Sequence, residues 1–331
     1  HPEPALPQVR RGDAGDHAQG ASAEEAVHLP AQAGDGRRGP RPDQDAAREA
    51  GVGEVCPHPL VGDAHLAEAR RLSGCGRVAV CMSGSFVQRG EPAILDKWTR
   101  AACALKEGAD LVVELPALWA VRSADAFARG GVNILAALGA RALSFGCESG
   151  SAGPLMRAAQ ALENEDEALS QAIRQGLDRG ETLARARGAA LADRLGLPRE
   201  EMAAPNNALA IEYLRANLRL FKPLEICPVP RRGAYLDENL PGESAEQFAS
   251  ATAVRAAARR GDLEGAARWL PAPSAEAVAR GNLTDETAFD ILLIHALRDA
   301  HPEYLASLCD AGEGLERRLM RAARRAGTRS E

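Results

Sequence analysis

Three short stretches of this chain carry the residue types that hold a phosphorylated nucleotide. Ser83-Gly84-Ser85 follows an apolar run, so its loop offers backbone N–H groups to an anion. Arg231-Arg232 follows another apolar run and is suited to gripping phosphate oxygens in pairs. Ser250 to Arg255 joins a helix start, the hydroxyls of Ser250 and Thr252, and a guanidinium one turn in. Each stretch alone also has a plainer reading. Strand-Ser-Gly is a common turn, an arginine pair is often solvated surface, and Ser250 can simply cap an amphipathic helix.

Positioning these loops requires an ordered frame, and the central third of the chain supplies its pattern. Residues 77–82, 111–115 and 142–145 are short apolar runs and read as buried strands. Between them, residues 96–107 have helical spacing, with Trp98, Ala101, Ala102 and Leu105 on the inward face. A second helix carries Phe127, Val132, Leu135 and Leu138 and stops at Gly139. Strands alternating with helices, each strand nearly all apolar, imply an α/β fold with a parallel sheet covered on both faces. Ligands in such sheets sit at the carboxyl ends of the strands, here Ser83-Gly84-Ser85, the end of residues 111–115, and Gly146-Cys147-Glu148.

The flanks read differently. Residues 1–57 contain no Phe, Trp, Tyr, Ile, Lys or Asn and show no sustained apolar period. Residues 51–56 set apart, such a segment is expected to add no packed element, either as a disordered tail or as a stretch foreign to the native protein. A helix with Leu66, Ala69 and Leu72 inward begins near His65. After Glu148 the pattern turns helical (about 151–200). Pro205-Asn206-Asn207 then reads as a helix start capped by an Asn side chain, and residues 224–229 as one more strand. The expected organisation is a Rossmann-like domain over 58–260 with a helical insertion, then a helical domain over 261–331. The last helix of that domain has Leu315, Leu319, Ala322 and Ala326 inward and Arg317, Arg318, Arg321, Arg324 and Arg325 outward.

Composition narrows the function classes. With 45% hydrophobic and 26% charged residues in a chain of 331, there is material for two ordinary domains. A net charge of -6 excludes coating of nucleic acid by bulk charge and leaves room for a local basic patch. The seven cysteines form no Cys-x-x-Cys pair, so neither a zinc site nor a disulfide framework is expected, and a reducing cytoplasm is. No run of residues is apolar for long enough to span a membrane.

Six blocks, taken together, resemble the bacterial tRNA(Met) cytidine acetate ligases: Met82-Ser-Gly-Ser-Phe-Val-Gln-Arg-Gly-Glu-Pro-Ala-Ile, Asp96-Lys-Trp, Leu111-Val-Val-Glu-Leu-Pro, Phe145-Gly-Cys-Glu, Pro205-Asn-Asn and Ala249-Ser-Ala-Thr-Ala-Val-Arg. The resemblance runs from about residue 65 to about residue 325. It implies a nucleotidyltransferase-like Rossmann domain that activates acetate with ATP, carried with Mg2+, through an acetyl-adenylate. It further implies transfer of the acetyl group to N4 of the wobble cytidine of elongator tRNA(Met). By position, it implies that Gly146 lies against the nucleotide, that Asn206 or Asn207 bonds to it, and that Arg231 or Arg232 meets its phosphates. Ser250, Thr252 and Arg255 match the serine-threonine-arginine signature of the wider class. The basic face of the last helix is then the expected contact for tRNA.

Two departures accompany the resemblance. The family opens with a strand and Asn-Pro-Phe-His-Asn-Gly-His-Leu, where this chain has Pro59-Leu-Val-Gly-Asp-Ala-His65-Leu66. Only the second histidine remains, as His65; Gly62 stands for the first and Ala64 for the glycine, and no first strand is recognisable. The family also continues into a further basic segment beyond the point where this sequence stops, so a fragment is expected. Two other readings stay open: a small-molecule adenylyltransferase, against which the long helical half argues, and an RNA-binding remnant without an ATP site.

Overall fold

The computed structural model describes residues 52–56, 63–230, 249–308 and 314–329. In order, these form β1 (Val52–Cys56), α1 (Asp63–Ser73), β2 (Val78–Ser83), α2 (Lys97–Lys106), β3 (Leu111–Leu115), α3 (Ala117–Ala120), α4 (Ala124–Ala137) and β4 (Ala142–Cys147). There follow α5 (Ala152–Glu163), α6 (Glu167–Asp178), α7 (Leu183–Leu195), α8 (Arg199–Ala203), α9 (Pro205–Leu218) and β5 (Glu225–Pro230). The remaining elements are α10 (Ala251–Arg259), α11 (Leu263–Ala267), α12 (Ala272–Ala279), α13 (Glu286–Asp299), α14 (Pro302–Ser307) and α15 (Leu315–Ala323).

All strand pairings within the sheet are parallel, in the order β3-β2-β1-β4-β5. The chain builds outward from β1 through β2 to β3, then returns to the other side of β1 for β4 and β5. The switch point therefore lies between β1 and β4, and an open α/β sheet binds its ligand beyond the carboxyl ends at that point. The α/β class and the parallel sheet inferred from alternation are what the structure has.

The first strand, unrecognised in the sequence, is Val52–Cys56, and it is the central strand. It pairs with β2 from Val52↔Val78 to Cys56↔Met82 and with β4 from Val52↔Ala142 to Glu54↔Ser144. Residues 1–57 thus contribute 52–56 to the sheet, inside the stretch 51–56 that the expectation of no packed element set apart; residues 1–51 lie outside the described residues.

Both faces of the sheet are covered, as apolar strands require. On one face Leu66 and Ala69 of α1 and Ala104 of α2 pack on Val78, Val80, Met82 and Ala142. On the other, α4, α5 and α9 pack on Cys81, Leu143, Phe145 and Cys147, where Phe145 and Tyr213 meet at 5.7 Å between ring centroids. A third cluster joins Ile94, Leu95 and Cys103 to Val254, Ala257, Ala266, Ala277 and Val278, so α10, α11 and α12 lie against α2 and the loop before it.

Three helices turn out differently from their sequence periodicity. In α2 the inward residues are Arg100, Cys103 and Ala104, while Trp98 and Leu105 are exposed. No side chain of its first residues caps α9; the carboxylate of Glu148 does so from another element. In α15 the buried position is Ala323, with Ala326 just beyond the helix, whereas Leu315, Leu319 and Ala322 are exposed. Arg298 of α13 fixes that rotation, since Nε and Nη2 donate to the carbonyls of Ala323 (2.7 Å) and Ala326 (2.9 Å).

Candidate nucleotide site

Ser83 ends β2, and the loop that follows is held from beneath by one buried arginine. Arg100 is 1% exposed; Nε donates to the Leu95 carbonyl at 3.1 Å, and Nη2 donates to the carbonyls of Ser83 (3.0 Å) and Gly84. Burying a guanidinium is costly unless its donors are met, and here three carbonyls turned inward meet Nε and Nη2. With those carbonyls facing Arg100, the loop is committed to one course. A Cβ at Gly84 would meet the end of the Glu114 side chain, which would have to swing aside. Glu114 is in turn fixed by Lys97, whose Nζ lies 2.7 Å from Oε2. The Ser83 hydroxyl is fully buried and finds no hydrogen-bond partner.

The loop returns on itself before α2, with Ala93 N–H donating to Ser85 O at 2.9 Å and Val87 N–H to Glu91 O at 2.9 Å. Asp96 then caps α2, accepting from the N–H groups of Trp98 (2.9 Å) and Thr99 (3.0 Å). Bonding from the Thr99 hydroxyl and backbone holds the Asp96 carboxyl below its usual range.

The end of β4 is organised by a reciprocal clamp. Asn206 N–H and Nδ2 donate to Glu148 Oε1 at 3.1 and 2.6 Å, and Asn207 N–H donates to Glu148 Oε2 at 2.8 Å. In return Asn207 Oδ1 accepts from the N–H groups of Glu148 (2.9 Å) and Ser149 (3.2 Å), while its Nδ2 donates to Glu201 O at 2.9 Å. An acidic side chain thus meets the positive end of α9, and that helix start meets the β4 loop. Asn206 and Asn207 therefore hold the loop that begins two residues after Gly146, and both are buried and engaged with protein.

His65, the third residue of α1, sits on the opposite face of β4. Its Nε2 lies 3.5 Å from the hydroxyl of buried Ser144, two residues before Gly146 on the same side of the strand. By the β1 register, Gly146 is level with Met82 across β1, so Gly146 and the Ser83 loop are separated by two strand spacings, about 10 Å. The described residues therefore bring Ser83, Gly84, His65, Gly146, Asn206 and Asn207 to one edge of the sheet. Ser250 caps α10 by accepting from Ala253 N–H at 2.9 Å, and Arg255 Nη2 lies 3.4 Å from Thr252 Oγ1. Their helix packs on Ile94 and Leu95 of the β2–α2 loop. Arg231 and Arg232 lie outside the described residues.

Thiol chemistry at this edge is disfavoured by burial, which pushes the Cys81 thiol up to about 12 and raises that of Cys147. Among the described residues no three metal-ligating side chains gather, and no helix is long and apolar enough to cross a membrane. Arg317, Arg318, Arg321, Arg324 and Arg325 are all exposed on or just after α15. The sequence reading placed Glu114 and Glu148 at the strand ends without their partners, and it missed Arg100. Arg100 sits four residues after the Asp96 cap and looks like surface; the partners of Glu148 are nearly sixty residues away, beyond any local signal.

A family description of HIGH nucleotidyl transferases matches residues 63–331. The chain belongs to the HIGH nucleotidyl transferase family. Within this family it is similar to tRNA(Met) cytidine acetate ligases, as the six sequence blocks imply. It is 35% identical over 275 residues to the Bacillus subtilis protein of that name, covering 81% of this chain and 66% of the relative. It is 40% identical over 268 residues to that of Syntrophotalea carbinolica, covering 78% and 62%. The crystal structure of apo Thermotoga maritima TmcAL superposes with a TM-score of 0.75 at 30% identity, over 84% of this chain and 69% of that one. The same protein bound with alpha-thio ATP gives 0.72 at 28% identity, over 84% and 68%. This member of the family spans about two thirds of the length of those curated relatives.

Proposed function

We propose that this HIGH nucleotidyl transferase is an ATP-dependent acetate ligase acting on elongator tRNA(Met). A carboxylate oxygen of acetate attacks the α-phosphorus of ATP, pyrophosphate leaves, and an acetyl-adenylate forms. The N4 amine of the wobble cytidine then attacks the acetyl carbonyl and AMP leaves, giving N4-acetylcytidine. The observation that carries this reading is the convergence of His65, Gly146 and the Ser83–Gly84 loop at the switch point of the sheet, in a chain whose relatives bear that enzyme's name. The unpartnered, buried Ser83 hydroxyl at that edge fits a site that takes a polar ligand.

Such chemistry asks little covalent help from protein; it asks that phosphates be held and their charge met by fixed donors. We assign Ser83, Gly84, Gly146, Ser250, Thr252 and Arg255, with Arg231 and Arg232, to the nucleotide, and Mg2+ to its phosphates. Asn206 and Asn207 serve the site by fixing the β4 loop. The helical half, through Arg317, Arg318, Arg321, Arg324 and Arg325, holds the tRNA in the cytoplasm. A second reading, an RNA-binding remnant, is favoured by one observation: Gly62 and Ala64 replace a histidine and a glycine of the family motif. Acetate-dependent exchange of labelled pyrophosphate into ATP separates the two. Exchange, followed by N4-acetylcytidine in tRNA(Met) detected by nucleoside mass spectrometry, is the expected result. Absence of both ATP binding and exchange would overturn the ligase reading.

A further inference from the structure

Trp98 has no part in the nucleotide site described above, yet it stands beside it. Trp98 is the second residue of α2, and apolar spacing would turn it inward; instead its side chain is 75% exposed. A tryptophan left in water at the head of a helix forgoes a large burial gain and leaves an aromatic face open to a ligand. Asp96 accepts from the Trp98 backbone N–H at 2.9 Å and so fixes the start of the helix, and Lys97 Nζ lies 5.2 Å from the ring centroid. That ammonium is anchored 2.7 Å from Glu114 Oε2, and the Glu114 carboxylate lies against Gly84 of the nucleotide loop. An unbroken run of contacts thus leads from the loop at the carboxyl edge to an open indole face with a cation close by.

We propose that Trp98 is the stacking platform for an unpaired base of the RNA substrate, with the Lys97 ammonium, paired to Glu114, beside the ring. An enzyme that modifies a base in an anticodon loop must receive nucleotides splayed out of the stack, and a fixed aromatic face is what receives a splayed base. The occupant is a base and not an apolar protein segment, because an ammonium stands at the ring and the platform adjoins the reaction edge. The Glu114 charge is met by Lys97, while the Asp96 carboxylate stays ionised as the acceptor of the Trp98 and Thr99 N–H groups. The platform is therefore suited to the face of a base and not to a phosphate.

This proposal rests on the RNA-ligase reading, and its test keeps the two apart. Full-length protein with Trp98→Ala, Trp98→Leu and Trp98→Phe is compared in acetate-dependent pyrophosphate exchange, in transfer to tRNA(Met), and in binding a fluorescent anticodon stem-loop by anisotropy. Exchange is expected to stay within about twofold in all three. Trp98→Ala and Trp98→Leu should raise the KM for tRNA and the stem-loop Kd by roughly 10- to 100-fold, the scale of one stacked base, with Trp98→Phe restoring most of it. Leucine rescuing as well as phenylalanine would mean a merely apolar contact and would overturn the proposal. So would unchanged tRNA KM and stem-loop Kd, or a common loss of exchange in all three variants. If the unaltered protein shows no exchange, the ligase reading fails, and stem-loop binding still decides the platform.

Discussion

Replacing Asn207 with alanine tests the clamp that shapes the end of β4. The side chain is fully buried and makes three bonds: two N–H groups, of Glu148 and Ser149, reach its Oδ1, and its Nδ2 reaches Glu201 O. Asn207→Ala leaves all three backbone groups without that partner, at about 1–3 kcal/mol for each buried group. Glu148 and Ser149 are only half-buried, so water recovers part of the loss and the low end applies, giving a total of about 3 kcal/mol. In a chain of 331 residues, with an unfolding entropy of about 2.1 cal/mol/K per residue, that corresponds to a Tm lower by roughly 4 °C. Circular dichroism at 222 nm gives the Tm, and hydrogen exchange reports on the Glu148 and Ser149 amides directly. Because the clamp is reciprocal, Glu148→Ala combined with Asn207→Ala should cost less than the sum of the two, by about 0.5–3 kcal/mol. An unchanged Tm with both amides still protected, or strict additivity in the double variant, would refute the reasoning.

Three further outcomes follow from the same structure. Arg100→Met removes the partner of three inward carbonyls and should destabilise by roughly 3–5 kcal/mol, read as a lower urea midpoint; a midpoint unchanged from the parent would show that the loop does not need the guanidinium. Bonding from Arg194, supported by Leu169 N–H, holds the Asp166 carboxyl at about 2; because this value is depressed, the contact's contribution is complete above the ordinary 3.8 and fades as pH falls towards 2. Carboxyl-resolved NMR titration should show this, with Arg194→Met returning Asp166 towards 3.8, and a parent titration already at 3.8 would contradict it. Arg321→Ala with Arg325→Ala should weaken tRNA binding at low salt, leave ATP binding intact, and flatten the salt dependence by about 0.7–0.9 of slope per lost phosphate contact; identical affinity and slope would reject the arginine face as the tRNA contact.

The alternation of apolar runs and helical periods made the sheet legible, down to the bounds of β3 at residues 111–115. What escaped was set by partners distant in sequence. Val52–Cys56 contains a glycine and a glutamate in five residues and lies in a polar, Ala- and Gly-rich stretch. Its identity as the central strand comes from pairing on both sides, a property of β2 and β4. Helical periodicity assumes that apolar residues face inward, and α2 breaks the assumption because Arg100 finds three carbonyls within while Trp98 does not turn inward. The Asn206-Asn207 pair reads as a self-capping helix start for the same reason: the carboxylate that actually caps α9 is supplied by Glu148, at the end of another strand.

The segment between β2 and α2 has a consequence for how this protein can be recombined. Arg100 ties its first residues to α2, Phe86 stacks on Phe289 of α13 at 5.3 Å, and the Thr284 N–H and hydroxyl donate to Ile94 O (2.9 Å) and Ala93 O (2.6 Å). Arg259 of α10 adds an ion pair to Glu286 at the start of α13. Any chimera that grafts the helices beyond α10 from a relative onto this sheet must carry the donor's version of residues 84–95 with them. A crossover placed between the two would split a single co-inherited joint, and the hybrid would fail at the seam although each half came from a stable parent.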